Sequence, residues 1–394
     1  MSRFRLQPTP DQEAGLLLHC SHARFVWNLA VEQHAHWQTG RPPAPCYVVQ
    51  ARQLTEARAE CEWLRSGSVT VQQQALRDFA EAMASYFRKH NRRPTWRKAG
   101  RNDGFRQVAV RPGHVERLNR RFGRVWVPKV GWVRFRWSRA VSPEARSYRV
   151  TRNHAGQWHV AFAVPPKPIP APDNGKTVGI DRGVVVSAAL SNGDMLQCPG
   201  LTSRERSRLV RLQRRLARAE RHSSRRRRVR TAIARLQGRE TRRRNDWLEK
   251  VSTDIARRFD LIRVEDLDIR AMTRTARGTA DRPGHQVRQK AGLNRSILAQ
   301  GWGQLVTRLE QKAPGRVEKV RAAFTSQQCS TCGNVSPESR ESQAVYRCVA
   351  CGFTCHADVN AAMNIAAGQA VTAREGGALA LPVNREPQLA TFAG

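Results

Sequence analysis

Between Ser326 and Ile365 the chain carries four cysteines in two pairs and, just beyond them, a single aspartate. Cys329 and Cys332 are separated by two residues, fifteen more precede Cys348, and two separate Cys348 from Cys351. Two turns that each offer a pair of sulfurs fit a closed, tetrahedral, four-thiolate zinc site, which is a structural kind of site. Cys355 and His356 follow directly, and a closed site needs neither. Asp358 stands seven residues past Cys351, the end of the second pair, and opens the helical stretch Asp-Val-Asn-Ala-Ala-Met-Asn-Ile. An acid placed there can belong to a different site from the sulfurs.

Two short apolar runs elsewhere also end in acids, Val178-Gly-Ile-Asp181 and Leu261-Ile-Arg-Val-Glu265. Carboxylates from two adjacent strands and a nearby helix can converge on a pair of divalent ions. One ion activates a water and the other stabilises the leaving oxygen, as in nucleases of the RNase H type. Magnesium suits hard oxygen ligands of this kind. The order strand-acid, hairpin, helix, strand-acid, helix-acid matches that α/β fold. Each acid has a plainer reading. Asp181 could begin a turn with Gly183, Glu265 could be a surface acid with Asp266 or Asp268 serving instead, and Asp358 could cap its helix. The three together, beside a cysteine quartet in a basic chain, favour the metal site.

The chain of 394 residues is long enough for two or three domains of roughly 100–200 residues. Its 69 Lys and Arg against 32 Asp and Glu leave a formal charge of +37, which calls for a polyanionic partner. Arginine dominates, and its planar fork grips phosphate and stacks on bases. No apolar run approaches the ~18 residues of a membrane span, and no secretory signal is evident. Nine cysteines, five of them scattered singly (Cys20, Cys46, Cys61, Cys198 and Cys355), argue for a reducing, cytoplasmic setting.

The elements that must position these groups follow from pattern. A strand opens the chain, and Thr9-Pro10-Asp11-Gln12 is a helix start. A second helix runs from Val71 to Phe87, with Phe79, Met83 and Tyr86 read as packing between helices. Val133, Phe135 and Trp137 alternate with Arg134 and Arg136, and Trp158, Val160, Phe162 and Val164 alternate again after a turn at 153–156. This predicts an antiparallel barrel or sheet with one basic face. Prolines from Pro165 to Pro172 mark a stiff linker. Val184 to Leu190 reads as a strand, with Asn192-Gly193 as its hairpin turn. Residues 202–246 hold 18 Arg against four acids and still keep a leucine stripe, which predicts a helical hairpin. So one-sided a charge is better explained by phosphate contacts than by a solvated face, with Arg214, Arg215, Arg218, Arg225, Arg226, Arg227 and Arg228 as candidate nucleic-acid ligands. Trp247 to Phe259 reads as another helix.

Several motifs resemble one family. Gly179-Ile-Asp181-Arg-Gly183, Val264-Glu265-Asp-Leu267, Gly301-Trp302-Gly303, the two cysteine pairs with Gly333 and Gly352, and Ala357-Asp358-Val-Asn360-Ala-Ala-Met-Asn364-Ile resemble TnpB, the transposon-encoded RNA-guided nuclease related to type V CRISPR effectors. Arg3-Phe-Arg-Leu and Ala23-Arg-Phe-Val-Trp-Asn28 resemble the family's beginning. The resemblance implies a multidomain α+β chain: a first wedge strand at 1–15, a helical recognition domain at 16–95, a β-barrel wedge domain at 96–168 and a linker at 169–176. A RuvC-like nuclease domain would follow at 177–312, a zinc-finger insertion at 313–355, a RuvC-like helix at 356–370 and a flexible tail at 371–394. It implies a guide RNA and double-stranded target DNA as partners, cutting beside a short transposon-adjacent motif, and a nucleoid site of action. Zinc on Cys329, Cys332, Cys348 and Cys351 would be structural, and two Mg²⁺ on Asp181, Glu265 and Asp358 catalytic. A compact type V CRISPR effector, a non-cutting RNA-guided repressor and a strand-joining transposase are the alternatives. Arg270–Gln300, longer than the family pattern, reads as a lid over the site.

Overall fold

The first helix begins as its residues require. The Thr9 hydroxyl accepts from the Gln12 N–H at 3.3 Å and the Gln12 side chain accepts from the Thr9 N–H at 3.1 Å, while Pro10 occupies a position that needs no donor. The structure, a computed structural model, describes residues 2–36, 43–164, 166–279, 281–321 and 323–368. The tail expected at 371–394 lies outside the described residues. The chain divides into two compact units, Met1–Pro165 with Ser207–Gly238, and Pro166–Arg206 with Arg239–Gly394.

The first unit starts with β1 (Ser2–Gln7), α1 (Pro10–Ala35), α2 (Tyr47–Glu60), α3 (Glu62–Ser66) and α4 (Val69–Phe87). Six strands follow: β2 (Gly104–Val108), β3 (Val115–Arg117), β4 (Phe122–Val127), β5 (Gly131–Arg136), β6 (Ser147–Arg152) and β7 (Trp158–Ala163). All seven join one antiparallel sheet in the order β2-β6-β7-β1-β5-β4-β3, so the strand that opens the chain sits at its centre. The alternation read from the sequence holds: Val133, Phe135, Val160 and Phe162 are fully buried, whereas Arg134 and Arg136 are exposed. The pairing is that of a sheet with β2 and β3 at its edges. Phe79 and Met83 join the core as expected. Tyr86, on the last turn of α4, extends past it, 37% exposed with its ring beside Phe87.

The chain continues through β8 (Thr177–Asp181), β9 (Ala188–Leu190), β10 (Met195–Leu196), α5 (Ser203–Ala217), α6 (Ser224–Arg258), β11 (Leu261–Glu265), α7 (Ile269–Met272), α8 (Val287–Gln300) and α9 (Trp302–Lys312). It closes with β12 (Val317–Val320), β13 (Val345–Arg347), β14 (Thr354–His356) and α10 (Ala357–Ala367). A five-stranded sheet in the order β10-β9-β8-β11-β12 organises the second unit. β8, β11 and β12 are parallel, and β9 returns antiparallel to β8. Val178, Ile180, Ile262 and Val264 bury against Leu248, Ile255, Leu305 and Leu309.

Three sequence expectations change. The strand expected from Val184 is confined to Ala188–Leu190. The carbonyls of Gly183 and Val184 accept instead from the Trp302 indole at 3.3 Å and the Gln300 amide at 2.7 Å. The separate helix from Trp247 is the continuation of α6, a single 35-residue helix. Its one weak point, Gly238, costs only about 1 kcal/mol and does not break it. The finger expected from residue 313 begins after β12, because Val317 pairs with Ile262 in the main sheet. The linker at 169–176 is held down: the Asp260 carboxylate accepts the N–H groups of Asp173, Asn174 and Gly175 at 2.6–2.9 Å, and the Ile169 N–H donates to Lys312. The stretch read as a lid is α7, a turn bridged at Gly278 and Pro283, and α8. Within that stretch Lys290 donates to the Met272 carbonyl and Asn294 to that of Thr273, which joins α8 to the end of α7.

One close approach organises this unit. A Cβ added to Gly179 on β8 would lie 2.0 Å from the Ala362 carbonyl oxygen and 2.4 Å from the Ala366 nitrogen, so α10 rests backbone to backbone on the strand. Gly179→Ala should therefore lower the stability of this unit by at least about 1–3 kcal/mol, the usual cost of overpacking, in urea unfolding of the purified protein.

Candidate active site and zinc knuckles

β8 and β11 lie side by side and parallel, with Ile180 in register with Val264, so their terminal residues Asp181 and Glu265 leave the same end of the sheet. α10, resting on Gly179, brings Asp358 to the same place. The helix is capped by His356, whose Nδ1 accepts from the Asp358 N–H at 3.2 Å, and this frees the Asp358 carboxylate from capping. Asp358 is 7% exposed and its Oδ1 accepts from Arg340 at 3.3 Å. The Thr325 hydroxyl donates to Glu265 at 3.2 Å. Among the alternatives weighed above, Asp268 caps α7 and Asp266 is exposed.

The three acids bear on one another's charge. Burial pushes the Asp181 carboxyl well above its usual range, and the charges of Glu265 and Asp358 push it further, against the pull of Arg340. Burial also raises Glu265, opposed by Arg182 and the Thr325 hydroxyl, and raises Asp358, opposed by Arg340 and His356. Buried carboxylates that repel one another favour the approach of a cation. Two guanidinium groups partly answer that need. Arg182, 5% exposed, donates to the Glu265 carbonyl, and Arg340 donates to Asp358. The Nε of each is buried without a partner among the described residues.

Cys329, Cys332, Cys348 and Cys351 form a separate site. Their sulfurs lie within 4.8 Å of one another, the one such group of donor atoms among the described residues. Cys329 and Cys351 are 3.8 Å apart, and Cys332 and Cys348 3.6 Å. A tetrahedron with Zn–S bonds of about 2.3 Å has edges of about 3.8 Å, so the spacing fits zinc. The two halves are built alike. Gly333 and Gly352 have φ of 75° and 76°, and each donates its N–H to the carbonyl of the first cysteine of its pair at 2.9 Å. Backbone N–H groups of Cys351 and Ala350 bring the Cys348 thiol down, whereas the neighbouring sulfurs push Cys332 up, as four crowded thiols share their protons.

The knuckles are tied to the acids through residues that sequence reasoning left without a role. Asn360 donates to the Gln328 carbonyl at 2.7 Å and accepts from the Ser330 N–H at 3.0 Å. Asn364 donates to the carbonyls of Thr325 at 2.8 Å and Gln328 at 2.7 Å. Their i, i+4 spacing on one face of a helix that opens with Asp358 was the available signal. Arg340 had none, because nothing in the sequence brings residue 340 to residue 358.

The arginine-rich hairpin forms as expected, zipped by Leu212, Val229 and Leu236. Arg214, Arg215, Arg218, Arg225, Arg227 and Arg228 are exposed. Arg226 is turned inward, donating to the carbonyls of Leu216 at 2.9 Å and Ala219 at 2.8 Å, just where α5 ends. Near the base, Glu205 pairs with Arg239 and Arg243 and is drawn down to about 2 by the Arg243 side chain.

Two outcomes follow from this geometry. Replacing Cys329 and Cys332 by serine should release bound zinc, measured by elemental analysis, and lower the melting temperature. Asp181→Asn should raise the melting temperature by about 2–5 °C in magnesium-free buffer without chelator at pH 7.5. A carboxyl raised in the folded state loses stability as pH climbs from its ordinary value toward the folded one. The advantage of asparagine should therefore vanish near pH 4 and grow with pH, as calorimetry across that range would read.

Comparison with known proteins agrees with this layout. Residues 159–276 match the OrfB_IS605 family ("Probable transposase"), and residues 302–365 match a "Cas12f1-like, TNB domain". Asp181 and Glu265 fall in the first match, and the four cysteines with Asp358 in the second. Residues 2–40 match a helix-turn-helix domain named for the same family, although residues 2–36 here form one strand and one uninterrupted helix. The chain is 35% identical to "Putative RNA-guided DNA endonuclease InsQ" of Escherichia coli (strain K12), over 94% of this chain and 92% of that protein. It is 30% identical to a "Putative RNA-guided DNA endonuclease" of Streptomyces pristinaespiralis, over 94% and 90%. Its fold is like that of the protein in a cryo-EM structure of a Cas12f1–sgRNA–target DNA complex, with a TM-score of 0.53, 14% identity, and 90% and 82% of the two chains covered. No helix among the described residues is long and apolar enough to cross a membrane. With full-length relatives at this level of identity, the chain belongs to the OrfB_IS605 family, the TnpB-type proteins that its motifs resemble.

Proposed function

We propose that this chain is an RNA-guided, magnesium-dependent endonuclease that cuts double-stranded DNA beside a short adjacent motif. The observation that carries the proposal is the convergence of Asp181, Glu265 and Asp358, three acids on separate elements raised by burial at one end of one sheet. The names of the full-length relatives support the same reading. On it, residues 1–15 and 96–168 act as a wedge domain, 16–95 as a recognition domain, and the second sheet as a RuvC-like nuclease core.

Asp181, Glu265 and Asp358 would hold magnesium, a hard cation suited to an all-carboxylate donor set. When bound, the metal supplies an activated water and neutralises charge on the leaving oxygen. The chain's own residues orient the site. Thr325 and Arg182 hold the Glu265 end of β11, His356 keeps the Asp358 carboxylate free of its helix, and Arg340 offers a guanidinium with an unspent donor beside the acids. A planar guanidinium in that position is suited to a phosphate oxygen. Arg214, Arg215, Arg218, Arg225, Arg227 and Arg228, exposed on α5 and α6, form no salt bridge with a carboxylate among the described residues and suit the phosphate backbone of a guide RNA. Base pairing by the guide would then supply the sequence specificity.

The protein purified with its bound RNA should linearise a plasmid that carries a matching target in Mg²⁺. Asp181→Ala should abolish cutting and keep the RNA. Arg340→Ala should slow cutting by about 10²–10³-fold, the range for loss of one charge-stabilising donor. Retained cleavage by Asp181→Ala would sink the site, and sequencing that finds no discrete bound RNA would sink the guide.

A further inference from the structure

The motif Ala23-Arg-Phe-Val-Trp-Asn28 has no role in the chemistry above, and the structure gives it one. Trp27 donates its indole N–H to the Thr95 carbonyl at 2.9 Å. Asn28 donates to the Arg97 carbonyl at 3.1 Å and accepts the Arg97 N–H at 2.7 Å. The Arg97 guanidinium lies 3.5 Å above the Trp27 ring. Residues 95 and 97 are thus clamped to α1 from both sides of Trp96, and Trp96 itself points outward, 56% exposed. A tryptophan exposed on a fixed backbone is presented to something rather than left over from an unfinished core.

Trp96 forms one wall of a groove of about 520 Å³ whose other walls are Phe25 and Leu29 of α1 and Trp63 of α3. Phe25 and Trp63 are 45% and 39% exposed and meet edge to face at 5.3 Å. Ser21, Arg24 and Glu32 supply polar groups along the same helix. The segment that carries Trp96 is basic: residues 92–101 include Arg92, Arg93, Arg97, Lys98 and Arg101 and no acid. All but Arg97 of these cations are exposed.

We infer that this groove holds one unpaired nucleobase of the bound RNA, stacked on Trp96 and flanked by Phe25 and Trp63. Aromatic rings set among cations stack bases while the cations hold the adjoining phosphates. RNA is favoured over duplex DNA because proteins read RNA chiefly at loops and bulges, where bases are already unstacked. The inference rests on the guide-RNA reading above and specifies one place where the RNA is gripped.

The test uses full-length protein and the RNA that copurifies with it, resynthesised. Trp96→Ala should weaken binding by about 5- to 150-fold, the equivalent of one lost base–aromatic stack, with the slope of log affinity against log salt unchanged. Trp96→Phe should stay within about threefold of wild type, since a smaller ring still stacks. Ultraviolet crosslinking of the wild-type complex should join a ribonucleotide to a peptide containing Trp96, Phe25 or Trp63. Equal RNA affinity in wild type and Trp96→Ala would overturn the inference. So would a loss confined to target DNA, or a change of oligomeric state by light scattering, which would mark a protein partner. Wild-type protein with no specific RNA would instead overturn the guide-RNA reading itself, and the two failures are therefore distinguishable.

Discussion

The contact between α10 and β8 is the constraint on which the second unit depends. A helix normally meets a sheet through the side chains of both. At Gly179 there is no side chain, and the carbonyl of Ala362 occupies the space where one would stand. The closeness is what lets a residue of the helix's first turn share a site with residues at the ends of two strands. The glycine two residues before Asp181 is therefore part of the geometry of the proposed metal site, although it would contribute no ligand.

The zinc knuckles extend the same logic. They hold no carboxylate of the site, yet two asparagines of α10 fasten their first loop to the helix, and Arg340 reaches from the segment between the cysteine pairs to Asp358. Zinc on the four cysteines would thus fix a loop that supports a helix that carries an acid. The metal's folding energy would be converted into position some residues away, which is how a closed site with no open coordination can still matter to chemistry.

Much of this was legible in the sequence for a physical reason. Metal ligands are constrained in type and spacing, so Cys329 to Cys351 announced themselves, and apolar runs ending in acids announced Asp181 and Glu265. The helix start at Thr9 and the alternation through Phe135 and Phe162 were legible because capping and pleating are local. What stayed hidden was non-local or unpunctuated. Nothing marks α6 as one helix, since charge hides its apolar stripe. Val317-Glu-Lys-Val is too short and too polar to declare itself a strand of the main sheet. Arg226 looks like its neighbours until the end of α5 supplies carbonyls for it. Arg340 meets Asp358 only once the knuckles have closed.

The crowding of three acids also bears on how such a chain changes over generations. Asp181 is raised by burial and by both other acids, so replacing it with a neutral residue would relieve that repulsion and leave the cysteine cluster and the arginine hairpin untouched. On the proposed function, mutational drift away from cutting at this position would be thermodynamically downhill, opposed by selection for cleavage. A lineage released from that selection would yield well-folded descendants that keep the basic surface, ready raw material for binders that have lost the blade.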